Sequence, residues 1–338
     1  MSKILKTAFF LLTLSIHSVG YSWWDQGHMT VAQIAYERLN EDVKAQVDEL
    51  IPMFGNSFPP FETFVDQITQ ENFYKDIQTQ INELIKIPSA SFPLSNSFVE
   101  AATWLDKIKA AGVPSSGAWH GSSRPYDPVK ILSQKEVEKK LSQLKKNDAV
   151  KAIKNCLKIL CNKNSSPWEK AFSLRVLLHV VGDVHCPVHS ITLYNKDFPQ
   201  GDRYGTRFPL FLPQNSSVKD LHQLWDSMLL IDSDHTQPPL TPEQLSKIEQ
   251  FANEIAQKYP EENLSEKEIL DPETWAKESY QAGIRAYQNI EQNGIPSDEY
   301  IASNREVAQK RIALAGYRLA KILNICFSEK QDGYQREE

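Results

Sequence analysis

The sequence predicts an all-α protein, a single mainly helical domain, and two observations carry that class. From Trp23 onward apolar residues recur at helical spacing, as in Val31, Ile34, Ala35 and Leu39 early in the chain and Val307, Ile312, Ala315, Leu319, Ile322 and Leu323 late in it. The alternation that a half-buried strand requires is scarce. In order, helices are expected over 28–50, 98–112, 134–161, 167–185, 217–228, 242–258, 272–290 and 299–327, joined by Pro-, Ser- and Asn-rich loops. Within the third, Lys139, Lys140, Lys145, Lys146 and Lys151 are interspersed with Glu136 and Glu138 at the spacing of a surface helix, so they read as a solvated face rather than a nucleic-acid patch. Between the first two, Phe54, Phe58, Phe61 and Phe64 lie among Pro52, Pro59 and Pro60 and are expected to pack on the core. No internal repeat, low-complexity tract or polar linker divides 23–338, which favours one domain.

Residues 1–22 stand apart. Lys3 and Lys6 precede an apolar run from Ala8 to Ile16, and Gly20-Tyr21-Ser22 supplies small residues before Trp23. This is the pattern of a secretory signal peptide, far short of the ~20 apolar residues that span a bilayer. No later segment is long and apolar enough to span one. Cleavage before Trp23 would make the product secreted or periplasmic. It would leave 35 basic against 43 acidic residues, a formal −8 where the full chain has −6. A broad basic surface for nucleic acid is therefore excluded, although bound metal could supply positive charge. A composition of 41% hydrophobic residues, 13 Gly, 19 Pro and 4 Cys excludes disordered, collagen-like and cysteine-scaffold classes. Export permits disulfides among Cys156, Cys161, Cys186 and Cys326. Three pairings are possible; Cys156 with Cys161 is the expected bridge, leaving Cys186 and Cys326 as a second bridge or two buried thiols.

The informative cluster is His179-Val180-Val181-Gly182-Asp183-Val184-His185-Cys186-Pro187-Val188-His189. On a helix His179 and Asp183 lie one above the other, where two side chains can grip one ion. Pro187 then stops the helix and lets His189 turn back. His222 and Asp226 repeat the same spacing in a second helix. Imidazole and carboxylate donors suit zinc at roughly 2.0–2.2 Å, in open sites that leave room for water. One such pair is no more than a helix-surface hydrogen bond. Their concentration in apolar segments is informative, because burying so many imidazoles and acids unpaired would be costly. His185 and His235 lack this context and are expected to be structural or exposed, and His17 leaves with the leader.

Together with Trp23-Trp24-Asp25-Gln26-Gly27-His28, these clusters resemble the family of nuclease P-one and nuclease S-one, exported zinc nucleases and 3'-nucleotidases related to bacterial zinc phospholipases C. The matching motifs run from Trp23 to Asp226. The resemblance implies a mainly helical fold, three zinc ions, and single-stranded DNA, RNA and 3'-nucleotides as substrates. One zinc would be held by Asp106, His120, His179 and Asp183, and a second by His189, His222 and Asp226. A third would be held by the amine and carbonyl of Trp23 with His28 and Asp183, so that Asp183 bridges two ions. Asp106 rests on Ala102-Thr103-Trp104-Leu105-Asp106, and His120 on Trp119-His120 with Pro125-Tyr126 following. Lys109, one turn after Asp106 where the family often has Arg, is a candidate phosphate contact. A ligating α-amine has a free pKa of ~7.7–8.0, must be deprotonated, and exists only after the preceding peptide bond is cut. Metal loading would thus be coupled to removal of the leader.

Two departures fall on base recognition. Family nucleases place an aromatic residue after the ligand matching His120 and an acid slightly further on, where this chain has Gly121-Ser122-Ser123. The family's Gly-Gly-Asn turn becomes Tyr204-Gly205-Thr206. Loss of a stacking platform would cost ~1–3 kcal/mol per base unless Tyr126, Tyr204 or Phe208 substitutes, and Tyr126, Tyr204 and Thr206 are the candidate substrate-binding residues. The interval from His28 to Asp106 is long, with an insertion expected at 51–98. An altered base pocket on an intact metal centre also suits an alternative, a zinc phospholipase C acting on phosphatidylcholine-type lipids. Asp226 argues against that branch, which tends to carry Glu there. A non-enzymatic zinc-binding protein is a third reading, for which no feature of the sequence speaks.

Overall fold

The computed structural model describes residues 24–54, 97–110, 114–144, 148–213, 217–229 and 236–328. Its described residues are mostly helical: α1 (Asp25–Tyr36), α2 (Glu41–Leu50), α3 (Phe98–Ala101), α4 (Trp104–Ala110), α5 (Gln134–Leu144), α6 (Ala149–Leu160), α7 (Pro167–His185), α8 (Leu221–Asp226), α9 (Pro242–Lys258), α10 (Pro272–Ile284) and α11 (Asp298–Phe327). Two short strands, β1 (Arg124–Tyr126) and β2 (Ile191–Leu193), pair in parallel with Arg124 opposite Ile191. The leader and Trp23, most of the expected insertion (55–96), and His235 lie outside the described residues.

Helix α7 is the axis of the fold. Ser166 and Glu169 close its first turn as a reciprocal capping box with Pro167 at the first position, an arrangement whose cap alone is worth about 1 kcal/mol. Nearly every residue from Trp168 to His185 is buried, because α1, α2, α6, α10 and α11 pack around it. A helix apolar on all sides except at a few polar positions belongs at the centre of a core, and two of those polar positions, His179 and Asp183, are metal-ligand candidates. Behind its last turn the buried guanidiniums of Arg311 and Arg318 meet Glu278 at 2.8 Å, while Arg311 also donates to the His185 carbonyl.

Three expected helices are broken. The 28–50 helix stops at Tyr36 and restarts at Glu41, where the Asn40 backbone donates to Asn324 Oδ1 and Leu39 turns into the core. Asp148 caps α6 by accepting from Lys151 N and separates it from α5, which buries no side chain. The 98–112 segment divides at Ala102, whose carbonyl is then available to His179. The bridge expected between Cys156 and Cys161 is not formed. Five residues apart on a helix, the two project in different directions: Cys156 is buried in the core, whereas Cys161, at the end of α6, is bonded to Cys326 near the end of α11, 165 residues later. Cys186 is a buried free thiol, not part of a second bridge.

Candidate metal centre

Six elements converge on one buried cluster. Helix α7 supplies His179 and Asp183, and Pro187 ends it so that the 3-10 turn Pro187–Ser190 folds His189 back. Helix α1 supplies His28, whose ring can approach because Gly182 has no side chain; a Cβ there would lie 2.8 Å from His28 Nδ1. Asp106 comes from α4, His120 from the 3-10 turn Pro114–His120, and His222 with Asp226 from α8, capped by Asp220. At the junction before α1, Trp24 N–H donates to the Asp226 carbonyl at 3.2 Å.

Asp183 is the hub. Its oxygens lie 3.4 Å from His28 Nε2, 3.1 Å from His120 Nδ1, 3.2 Å from His179 Nε2 and 3.5 Å from His189 Nδ1. Asp106 lies 3.5 Å from His120 Nδ1 and 3.8 Å from His179 Nε2. Asp226 lies 3.3 Å from the Nε2 atoms of both His189 and His222. All eight residues are buried. Of the described residues, groups with ligand atoms within 4.8 Å of one another are His28, His179 and Asp183; Asp106, His120 and His179; and Cys186, His189 and Asp226.

The tautomers are set from outside the cluster. His179 Nδ1 donates to the Ala102 carbonyl at 2.7 Å, His189 Nδ1 to the His120 carbonyl at 2.6 Å, and His222 Nδ1 to the Tyr204 carbonyl at 3.0 Å. With the proton on Nδ1, each neutral ring turns the lone pair of Nε2 toward a carboxylate. Both oxygens of Asp106, both of Asp183 and Oδ2 of Asp226 are buried without a well-formed hydrogen bond. Lone pairs facing lone pairs in a dry interior are unfavourable unless a cation lies between them. The acids and imidazoles also shift one another's titration. Burial opposes charge on His179, but the Asp183 and Asp106 carboxylates outweigh it and push its pKa up to about 9. Burial pushes His120 down to about 3 and raises Asp106, while the neighbouring imidazoles hold Asp183 well below the usual carboxylate range despite its burial. The donor set therefore fits metal cations.

Of the other sequence candidates, Lys109 Nζ stands 3.9 Å from Asp106 Oδ1 at the rim of the cluster. The Tyr204 ring lies 6.4 Å from the rings of His189 and His222 and rests on Gly121, where a Cβ would come within 2.7 Å of it. Tyr204 holds φ +63°, in a turn where Arg203 and Gly205 are also left-handed. Of the other two candidate substrate-binding residues, Tyr126 packs on Tyr287 and the Thr206 hydroxyl donates to the Arg203 carbonyl. His185 is buried, with Nδ1 donating to the Val181 carbonyl and Nε2 accepting from Arg318. Sequence reasoning missed Cys186 as a neighbour of the ligands; its place between Asp183 and His189 was the available signal.

Residues 23–328 match a family model described as S1/P1 Nuclease. The chain is 29% identical over 164 residues to Endonuclease 5 of Arabidopsis thaliana, a match covering 47% of this chain and 52% of that protein. It is 27% identical over 166 residues to Endonuclease 3 and 29% identical over 164 residues to Endonuclease 4 of the same plant. The matches span about half the length of these curated relatives. With a family match over nearly the whole described chain, around a cluster in which every described member of the expected ligand set converges, the protein belongs to the S1/P1 nuclease family.

Proposed function

We propose that the chain is an exported zinc-dependent phosphodiesterase that hydrolyses single-stranded DNA and RNA to 5'-nucleotides and removes phosphate from 3'-nucleotides. The observation that carries this reading is the convergence of His28, His120, His179, His189 and His222 on Asp106, Asp183 and Asp226, with the Nδ1 atoms of His179, His189 and His222 tied to backbone carbonyls and carboxylate oxygens left for cations. The ligand sets are Asp106, His120, His179 and Asp183; His189, His222 and Asp226; and His28 and Asp183 with the amine and carbonyl of Trp23. The contact of Trp24 with Asp226 supports the last set, since it brings the chain past α8 beside the cluster.

When bound, the zinc ions would lower the pKa of water toward neutrality and neutralise charge developing on phosphate and leaving oxygen. The protein's share is to hold the ligands in one tautomer, to exclude bulk water and to orient the phosphate, with Lys109 at the rim as its contact. No covalent nucleophile is needed. Tyr204 takes over base stacking, its ring resting on Gly121 where the family's aromatic would otherwise stand. A left-handed Tyr costs on the order of 1 kcal/mol and persists where its surroundings fix it; here Thr192 Oγ1 accepts its N–H and its carbonyl holds His222.

The test is a substrate panel of single-stranded DNA, RNA, a 3'-mononucleotide and phosphatidylcholine, each with and without chelator. Chelator-sensitive release of 5'-nucleotides is expected. Cleavage of the lipid without nucleotide release would move the chain to the phospholipase branch.

A further inference from the structure

The second ligand group contains a donor of a different kind. Cys186 caps α7, with its N–H bonded to the carbonyls of Gly182 and Asp183, so the turn that sets Asp183 also sets the thiol. It is fully buried, and unlike Cys161 it has no disulfide partner. Its Sγ lies 3.9 Å from Asp226 Oδ1, and one Cys186, one His189 and one Asp226 donor atom lie within 4.8 Å of one another. His222 reaches the same carboxylate through Asp226 Oδ2, an oxygen buried without a hydrogen bond. Thus a sulfur, an imidazole and a carboxylate face one small volume, with His222 on the far oxygen of that carboxylate, whereas the other two groups offer only nitrogen and oxygen.

We propose that Cys186 is a fourth protein donor at the His189–His222–Asp226 site, giving that site alone a sulfur ligand and a preference for thiophilic ions. Thiolate binds zinc at ~2.3 Å and favours soft d10 ions over hard ones. Coordination releases the S–H proton to solvent, and thiolate with carboxylate balances a divalent ion without further anions. Four protein donors would leave little room for water at that ion, so water activation would fall to the sites that share Asp183. This rests on the metal-centre reading.

The experiment is replacement of zinc by cadmium in the mature protein, with bound metal measured by equilibrium dialysis and sulfur ligation by the ultraviolet sulfur-to-cadmium charge-transfer band. A band equivalent to one thiolate per chain is expected; it is lost in Cys186→Ser and kept in Cys156→Ser. Cys186→Ser is expected to weaken cadmium binding at one site by ~10-fold or more. Circular dichroism checks the fold of each variant. If Cys186→Ser does not fold, the cadmium-113 chemical shift of the wild-type protein decides between sulfur ligation and all nitrogen and oxygen. Bound cadmium without a sulfur signature, or a band that survives Cys186→Ser, would overturn the role of Cys186 and leave the metal centre standing. A chain that binds neither zinc nor cadmium would overturn both.

Discussion

Asp183 is the residue on which the most depends, since four imidazoles approach its two oxygens. Asp183→Asn is expected to lose more than one zinc per chain and to leave about 1% or less of wild-type hydrolysis, a drop at the upper end of the ~100-fold that even outer partners of metal ligands produce. Metal analysis beside a rate assay checks this, and full zinc content in the variant would refute the bridging role. In the proposed reading Tyr204 bears on specificity rather than chemistry. Tyr204→Ala is expected to raise KM about 10-fold for base-bearing substrates, as stacking energy of ~1–3 kcal/mol implies, while an oligonucleotide of abasic residues is cleaved as before. Equal losses on both substrates would mean that Tyr204 acts only through His222. At this scale the i,i+4 pairs His179/Asp183 and His222/Asp226 were legible because helix geometry dictates them. Asp106 and His120 were not: on their own spacing they look like a helix surface charge and a lone histidine, and only the family resemblance picked them out. The carbonyls of Ala102, His120 and Tyr204 that fix the imidazole tautomers carry no sequence signal, since any residue has a carbonyl.

Helix α7 carries His179 and Asp183, and the middles of α10 and α11 pack against its last turn through Glu278, Arg311 and Arg318. Burial works against ionisation of Glu278, yet hydrogen bonds from Arg318 and Arg311 keep its pKa below its ordinary 4.5. A depressed carboxylate contributes stability that is present above the unfolded value and lost as pH falls through the folded one. Wild-type protein should therefore lose stability below about pH 4.5, and Glu278→Gln should lose less over the same range. At neutral pH that variant leaves two buried guanidiniums without their counter-charge, at a cost of about 3 kcal/mol in denaturant unfolding. The Cys161–Cys326 bond joins α6 to α11 across 165 residues. Replacing both cysteines by serine is expected to destabilise the protein by about 2–5 kcal/mol in urea titrations, with zinc content unchanged. The sequence located most helices because their apolar periodicity is strong, but not the breaks at Leu39 and Asp148. Those breaks depend on contacts with distant elements, Asn40 with Asn324 and Ser122 with Asp148, which local pattern does not encode. Disulfide pairing fails for the same reason, since chain proximity favoured the wrong partner for Cys161.

For the whole molecule, a net negative chain with the proposed polyanionic substrate would need local positive charge, and the buried ligand cluster is where cations would provide it. Metal bound to the folded state alone also stabilises it by mass action. Cluster chemistry, stability and the proposed function would thus be linked through one property, metal occupancy of the site formed where α1, α4, α7 and α8 meet. No helix among the described residues is long and apolar enough to cross a membrane. The decisive measurement is zinc per chain in protein beginning at Trp23, taken with the rate of single-stranded DNA hydrolysis before chelation, after it, and after zinc is returned. About three zinc ions per chain, with hydrolysis abolished by chelation and restored by zinc, is the expected result. Undiminished hydrolysis by the metal-free protein, or a folded chain that takes up no zinc, would contradict the metal-centred account.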